Sequence, residues 1–380
     1  MKSKNNKRDM NPSANGKMPP LTIGCHTSPL PIIQGGMGVG ISLSGLAGAV
    51  AKAGGIGVIA AAGIGLLQPD FFTNCEEACL RGLRQEIKKA RAISKGVLGV
   101  NIMVALSNYE DLVKTAAAEG IDIIFSGAGL PLGMPGLVAP GSRTAMVPIV
   151  SSGRAARIIC RKWQEGYGRL PDAFVVEGPL AGGHLGFKAE ELGLAENELE
   201  VLVSDVLREV VPFEQTTGHP IPVIAAGGIY TGEDIFRFIK MGAAGVQMAT
   251  RFVVTEECDA DFTFKDAYLK SRPEDVIIIK SPVGMPGRAL RNEFLDSVSA
   301  GKKKPFKCPY HCVRTCNYLE SPYCIFFALV NAQQGKLQHG FAFCGANVHR
   351  VEEITTVPRL IASLKEEYAW AVQSADPDPG

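Results

Sequence analysis

Short, nearly unbroken apolar runs recur along this chain, each ending in glycine or a small polar residue, and longer amphipathic stretches separate most of them. Residues 31–36, 57–61, 98–104, 121–125, 146–150, 173–177, 223–226 and 245–248 are eight such runs. Continuous Val, Ile and Ala, without polar alternation, marks strands buried on both faces, as in parallel sheets. Helical spacing occupies 43–53, 75–93, 109–119, 154–165, 198–211 and 232–241. The link 130–144 is proline-rich and is expected to hold only a short helix. Regular strand–helix alternation predicts a parallel sheet with helical crossovers. A count of eight favours closure into a (β/α)8 TIM barrel over an open doubly wound sheet.

The pattern stops after Val254. Residues 21–255 are therefore expected to form the barrel and 256–380 an appended cap, with a helical stretch at 266–271, a strand at 276–280, a Cys-rich segment at 302–345 and a closing helix at 354–372. Residues 1–20 are polar and Lys/Asn-rich and are expected to be disordered. No run approaches the ~18 apolar residues of a spanning helix and no export segment opens the chain, so a cytoplasmic, reducing setting is expected. The net charge of +1 gives no reason to expect nucleic acid or an anionic membrane as partner. Ten cysteines in 380 residues are too sparse for a disulfide scaffold, which leaves reduced thiols available as ligands.

Candidate chemistry gathers where the strands end. The seventh run ends in Gly227 and Gly228, and the eighth carries Gln247 and Met248 with Thr250 just beyond. The loops after the seventh and eighth strands are the phosphate site of such barrels, so this unit predicts a phosphorylated cofactor. After the first strand stand Gln34, Gly35, Gly36 and Met37, where glycine lets backbone approach a flat or charged ligand. Their spacing is not the dinucleotide G-x-G-x-x-G, and residues 54–69 hold no Asp or Glu for a ribose, which argues against a Rossmann site.

Past the sixth strand, which ends in Glu177, come Gly182, Gly183 and His184. An imidazole at the carboxyl end of a barrel strand suits proton transfer near neutral pH. The plainer reading is a loop hydrogen bond. His26, His219, His311, His339 and His349 lack such a setting and read as structural or solvated. Asn101 is the one polar residue inside the third run, Ser126 ends the fourth, and Ser151 and Ser152 follow the fifth. Each alone could be a buried polar group tied to backbone, but together they suggest a shared ligand surface. Cys308, Cys312, Cys316 and Cys324 could ligate an iron–sulfur cluster or zinc, or pack as small hydrophobes, since their spacing fits no standard run. Cys75 and Cys79 share one helix face and read as ordinary surface or core residues.

Pro31-Ile-Ile-Gln-Gly-Gly-Met37, Gly99-Val-Asn-Ile102, Val176-Glu-Gly178 with Gly182-Gly-His-Leu-Gly186, Ala225-Ala-Gly-Gly-Ile229, Gly245-Val-Gln-Met-Ala-Thr-Arg-Phe252 and Ser281-Pro-Val-Gly-Met-Pro-Gly-Arg288 together resemble the nitronate monooxygenase family, and beyond it the flavin-dependent enoyl-acyl-carrier-protein reductases. The similarity runs from about 31 to 292 and less specifically to the end. It implies FMN bound without a covalent link, its phosphate cradled by Gly227, Gly228, Gln247 and Thr250. Gln34, Gly35, Gly36, Met37, Asn101 and Glu177 would lie along the flavin, with Ser126, Gly182, Gly183 and Met248 completing the surface. His184 would be the acid/base residue. The activity implied is oxidation of nitronates or nitroalkanes, small-molecule substrates, with O2. An NAD(P)H-dependent reductase of enoyl thioesters or quinones is the alternative, and a noncatalytic metal-binding or ligand-sensing barrel a further one. The Cys-rich tail departs from the best-known monooxygenases.

Overall fold

The computed structural model describes residues 16–302, 308 and 310–375. Its centre is a sheet of eight parallel strands: β1 (Ile32–Gln34), β2 (Gly57–Ala60), β3 (Leu98–Met103), β4 (Ile123–Gly127), β5 (Ala145–Val150), β6 (Phe174–Glu177), β7 (Val223–Ala226) and β8 (Gly245–Met248). They pair in the order β1-β8-β7-β6-β5-β4-β3-β2. The ring closes where Ile33 bridges Ile56, with Gln34 N donating to Ile56 O and Ile56 N to Ile32 O, each at 2.9 Å. This is a TIM barrel.

Alternation along each strand divides the apolar residues into two cores. Ile33, Val58, Phe125, Val147, Val175 and Ile224 fill the barrel, plugged at its amino-terminal end by Leu21 and Ile23. Those two belong to a hairpin of Leu21–Ile23 with His26–Ser28 that the apolar pattern does not reveal. The alternate residues, such as Ile32, Val100, Ile124 and Val246, pack outward. Their partners are α1 (Ser44–Lys52), α2 (Cys75–Ile93), α3 (Tyr109–Ala118), α4 (Gly153–Tyr167), α5 (Leu199–Thr217) and α6 (Gly232–Lys240). The weak link holds only the four-residue turn Met134–Leu137.

α5 runs past Val211, where the helical spacing of the sequence ends, and includes Pro212. A proline inside a helix removes one backbone donor. Here Thr216 Oγ1 and Thr217 Oγ1 donate to Pro212 O and Phe213 O at 2.8 and 3.0 Å, and the helix ends instead at Gly218, φ +72°. After the barrel, helix Phe262–Leu269 leads to strands Val276–Lys280 and Pro286–Leu290, which pair antiparallel. Helices Ile325–Gln333 and Val357–Ala375 follow, the last lying against α6 and α1. Asp259 ties this region back to the barrel, its carboxylate accepting from Leu43, Gly45 and Leu46 N at the start of α1. Of the tail expected to be disordered, residues 1–15 lie outside the described residues. No helix among the described residues is long and apolar enough to cross a membrane.

The approach of α1 to β2 leaves no room for a side chain at Gly57. A Cβ built on Gly57 would stand 1.8 Å from Ala47 O, which is backbone and cannot turn aside. Gly57→Ala is expected to lower stability by about 3 kcal/mol or more, since overpacking a rigid core costs that order. Gly166→Ala, in α4 with nothing near its Cβ, is expected to raise it by about 0.5–1 kcal/mol through helix propensity. Urea unfolding of the two variants beside the parent checks both signs.

Candidate active site

The same alternation that fills the barrel aims its uppermost inward residues at the mouth. Gly35, Ala60, Asn101, Gly127, Ile149, Glu177, Ala226 and Gln247, one from near the carboxyl end of each strand, all line a cavity of about 270 Å³. Three of the eight are polar. A Cβ on Gly36 would come within 2.4 Å of Asn101 Cβ, so the first loop can cross the floor only as glycine. Met37, Gly182, Gly183, Met248 and Thr250 form part of the wall. Gly227 and Gly228 do so with φ of +91° and +98°, the left-handed region where side chains are strained. Every expected cofactor residue but two therefore reaches the cavity.

Gln34 and Ser126 do not, because both occupy the outward phase of their strands. Gln34 is fully buried, its Oε1 accepting from Val58 N at 3.0 Å and its Nε2 donating to Val58 O at 3.3 Å, so it braces β1 against β2. Ser126 Oγ donates to Ile102 O and lies 3.0 Å from Tyr109 OH on α3. Both are structural, satisfied polar groups. Of the two serines after β5, Ser152 caps α4 by accepting from Ala155 N, and both face a second cavity of about 500 Å³. That cavity shares Ala128, Ile149, Glu177 and His184 with the first.

His184 is placed by a device the sequence does not announce. Gly183–His184 forms a short strand against Pro286–Leu290, the third member of the sheet that follows the barrel. Arg288 on that strand is buried and donates from Nη1 to Pro179 O and Ala181 O, at 2.7 and 2.5 Å, which pins the loop leading to the histidine. His184 Nε2 lies 2.7 Å from Ser281 Oγ, and the edge of Phe343 packs against the ring at 5.0 Å. Ser281 opens the 281–288 motif, and nothing in its sequence setting marks it as a histidine partner. Among the described residues, Nδ1 of His184 has no protein partner.

Burial acts on both ionisable groups here and favours the neutral form of each. It pulls His184 down to about 4, so the imidazole is uncharged at neutral pH. It pushes Glu177 up to about 7. The C-terminal region roofs the cavity with Val313, Ile325, Phe326 and Asn347, whose Nδ2 donates to Gly228 O at 2.7 Å. Among the described residues no three His, Cys, Asp or Glu side chains are grouped to hold a metal ion, so Cys308, Cys312, Cys316 and Cys324 do not converge on one point.

A sequence model of the family described as nitronate monooxygenase matches residues 20–122 and 107–367. The (3aS,4S,5R,7aS)-5-hydroxy-7a-methyl-1-oxo-octahydro-1H-indene-4-carboxyl-CoA dehydrogenase of Mycobacterium tuberculosis is 29% identical over 274 residues, 72% of this chain and 66% of that protein, so the chain spans just under two thirds of that relative. A probable nitronate monooxygenase of Staphylococcus haemolyticus is 27% identical over 301 residues, 70% of this chain and 77% of that one. Among solved structures, FabK from Thermotoga maritima superposes with a TM-score of 0.70 at 29% identity, over 93% of this chain and 96% of that one. A nitroalkane oxidase from Streptomyces ansochromogenes shares the fold, with a TM-score of 0.70 at 24% identity over 92% and 98%.

The two shifted groups make opposite contributions to stability. Glu177 keeps its proton to about pH 7 when folded but to about 4.5 when unfolded, so its contribution is full below about 4.5 and is lost as pH rises through 7. His184 takes up a proton near 4 when folded but near 6.5 when unfolded, so its contribution is full above 6.5 and is lost as pH falls towards 4. Glu177→Gln is therefore expected to gain stability relative to the parent as pH is raised from 5 to 8. Urea unfolding across that range without added ligand reads the difference, and a flat difference would contradict the burial argument.

Proposed function

We propose that this chain, which belongs to the nitronate monooxygenase family, is an FMN-dependent oxidoreductase that acts on small carbon acids or their anions, nitronates and nitroalkanes foremost, with O2 as oxidant. The observation that carries this reading is a neutral, oriented imidazole at the wall of a cavity whose floor and ledge are built for a flat, phosphorylated group. The fit to FMN rests on three features. Gly227 and Gly228 present backbone with no Cβ where the phosphate of such barrels sits. Gly35, Gly36 and Gly127 leave a flat floor, and Asn101 and Gln247 supply side-chain amides there. When bound, FMN supplies the electron chemistry, while the protein positions and polarises.

The residues of this chain then have separable tasks. Gly227, Gly228 and Thr250 hold the phosphate, and Asn101 and Gln247 orient the ring system. His184, uncharged above about pH 4, accepts the α-proton of a neutral nitroalkane. Ser281 holds Nε2, which leaves Nδ1 as the nitrogen that takes the proton. Phe343 and the C-terminal roof limit access of water. A preformed nitronate has already lost that proton and does not need the base.

A second reading is reduction of enoyl thioesters or quinones at the expense of NAD(P)H. The adjoining cavity of about 500 Å³ favours it, because a small nitroalkane does not require that space. Mixing the protein with each donor under anaerobic conditions separates the two. Loss of flavin colour with nitronate but not with NADH or NADPH is expected, and the reverse would establish the reductase.

His184→Ala is expected to keep its flavin and to lower kcat/KM for a neutral nitroalkane about 10²–10⁴-fold, the usual worth of a positioned base. The value for the matching nitronate should fall by no more than about tenfold. Steady-state kinetics on the paired substrates reads the split, and equal losses on both would remove the proton-transfer role.

A further inference from the structure

Beside the cofactor cavity lies the second one of about 500 Å³, and the two meet at Ala128, Ile149, Glu177 and His184. A molecule held in the second cavity can therefore reach the imidazole, whose Nδ1 has no protein partner among the described residues. Its volume is that of a small-molecule pocket. Four segments build it: the loop after β4, the end of β5 with the first turn of α4, the loop from Gly186 to Asn197, and Met285 just before strand Pro286–Leu290. The 186–197 loop is braced from within. Glu191 Oε2 accepts from Lys188 N and Asn197 Nδ2 donates to Glu191 O, each at 2.9 Å.

The apolar part of the lining runs from Val150 and Phe187, which are buried, to Leu130 and Leu194, which are exposed. Such a track suits a chain that enters from solvent and ends inside. Charge in the lining is of one sign. Glu191 and Glu196 stand there with Glu177, and no lysine or arginine does. Lys188 Nζ lies 3.8 Å from Glu191 Oε1, whereas Glu196 has no ion pair among the described residues. The amino-terminal end of α4 adds a partial positive charge, but Ser152 Oγ already accepts from Ala155 N there. The balance is negative. Phosphate sites are built from Arg, Lys or free backbone N–H groups, and this lining has no such cation.

We propose that the second cavity is the chamber for the non-reacting part of the substrate, and that it takes an extended apolar chain whose far end is uncharged or cationic. This rests on the carbon-acid reading for what meets His184, and it narrows the substrate class to long-chain nitroalkanes or related carbon acids. A small nitroalkane leaves the chamber vacant, and a nucleotide or a phosphorylated thioester carrier finds no cation in it. Ala155, in the first turn of α4, lines the chamber and not the cofactor cavity, so a larger side chain there takes space from the one alone.

Isothermal titration of the full chain with its flavin, at low ionic strength and neutral pH, reads the chamber without turnover. Hexanol and hexylamine are expected to bind, with affinity rising about threefold to fourfold for each CH2 added between propanol and hexanol, the worth of a buried methylene. Hexyl phosphate is expected to bind at least about tenfold more weakly than hexylamine, the order of a like-charge contact near a protein surface. Glu196→Gln should narrow that gap, and Ala155→Phe, its fold checked by circular dichroism, should lose hexanol binding. Absent binding, affinity independent of chain length, hexyl phosphate bound as tightly as hexylamine, or hexanol bound undiminished by folded Ala155→Phe would each overturn the proposal. Should Ala155→Phe not fold, the titrations of the parent still decide. Steady-state kinetics on nitropropane and nitrohexane separates the chamber from the chemistry beneath it. A higher kcat/KM for nitrohexane supports both, whereas chain-length-dependent hexanol binding without oxidation of either nitroalkane would remove the carbon-acid reading and uphold the chamber.

Discussion

Closure of eight parallel strands, each buried on both faces, is the constraint on which the rest of this molecule depends. A strand in that position has no polar face to offer water, so its residues must sort by alternation into a barrel interior and a barrel–helix interface. The interior can accept polar groups only at its ends. Ile33, Val58, Phe125 and Val175 fill the middle, and Asn101, Glu177 and Gln247 appear one layer higher. Burial is the cause of both ionisation shifts at the site, Glu177 standing at the end of β6 above that apolar layer and His184 lying under Phe343 in the wall above it. Each charge is disfavoured, which raises the acid to about 7 and lowers the base to about 4. Two opposite shifts from one cause leave a neutral imidazole and a carboxyl poised near physiological pH.

What the barrel cannot supply is the wall above its mouth. The loop from Gly178 to Gly183 has little side chain with which to fix itself. Arg288 does so from the chain beyond the barrel, with a buried guanidinium donating to two backbone carbonyls. A charge buried without a carboxylate is costly, and burial accordingly lowers the pKa of Arg288. The arrangement is sustained because removing the donor would leave the carbonyls of Pro179 and Ala181 buried and unpaired. The same strand pairs with Gly183 and His184, so loop and imidazole are positioned by one element.

The barrel was legible because its signal is repetitive: eight apolar runs, with helical spacing in most gaps, leave few topologies open. The glycine ledge of the cavity was legible for a related reason, since Gly227 and Gly228 end a strand whose place in the count is fixed by the repeat. Reading stopped where polarity alone had to specify direction. Gln34 and Ser126 are polar residues at strand ends, as Asn101 and Glu177 are, and only the phase of each strand separates bracing from lining. Helix α5 outlasts its helical spacing for a local reason, because Pro212 removes only its own N–H and the chain stays helical until Gly218 takes the left-handed conformation. The hairpin that plugs the barrel is a local pairing of two three-residue strands, and Gly183–His184 is a two-residue strand paired far along the chain with Pro286–Leu290; segments so short leave no periodic trace.

The cysteines show the same boundary from the other side. The spacing of Cys308, Cys312, Cys316 and Cys324 suggests a set of four because sequence distance is the sole measure a sequence offers. In space, among the described residues, they are not grouped to hold a metal ion, and Cys316 Sγ lies 3.9 Å from Ser321 Oγ instead. α2 packs its apolar face on α1 and α3 through residues such as Leu83, Ile87 and Ala90. Ala78 in its first turn is buried with them, whereas Cys75 is only partly buried. Val313 and Ile325, each next in sequence to a cysteine, line the cavity, so the backbone of the C-terminal segment forms part of the cavity wall whichever small molecule the cavity takes.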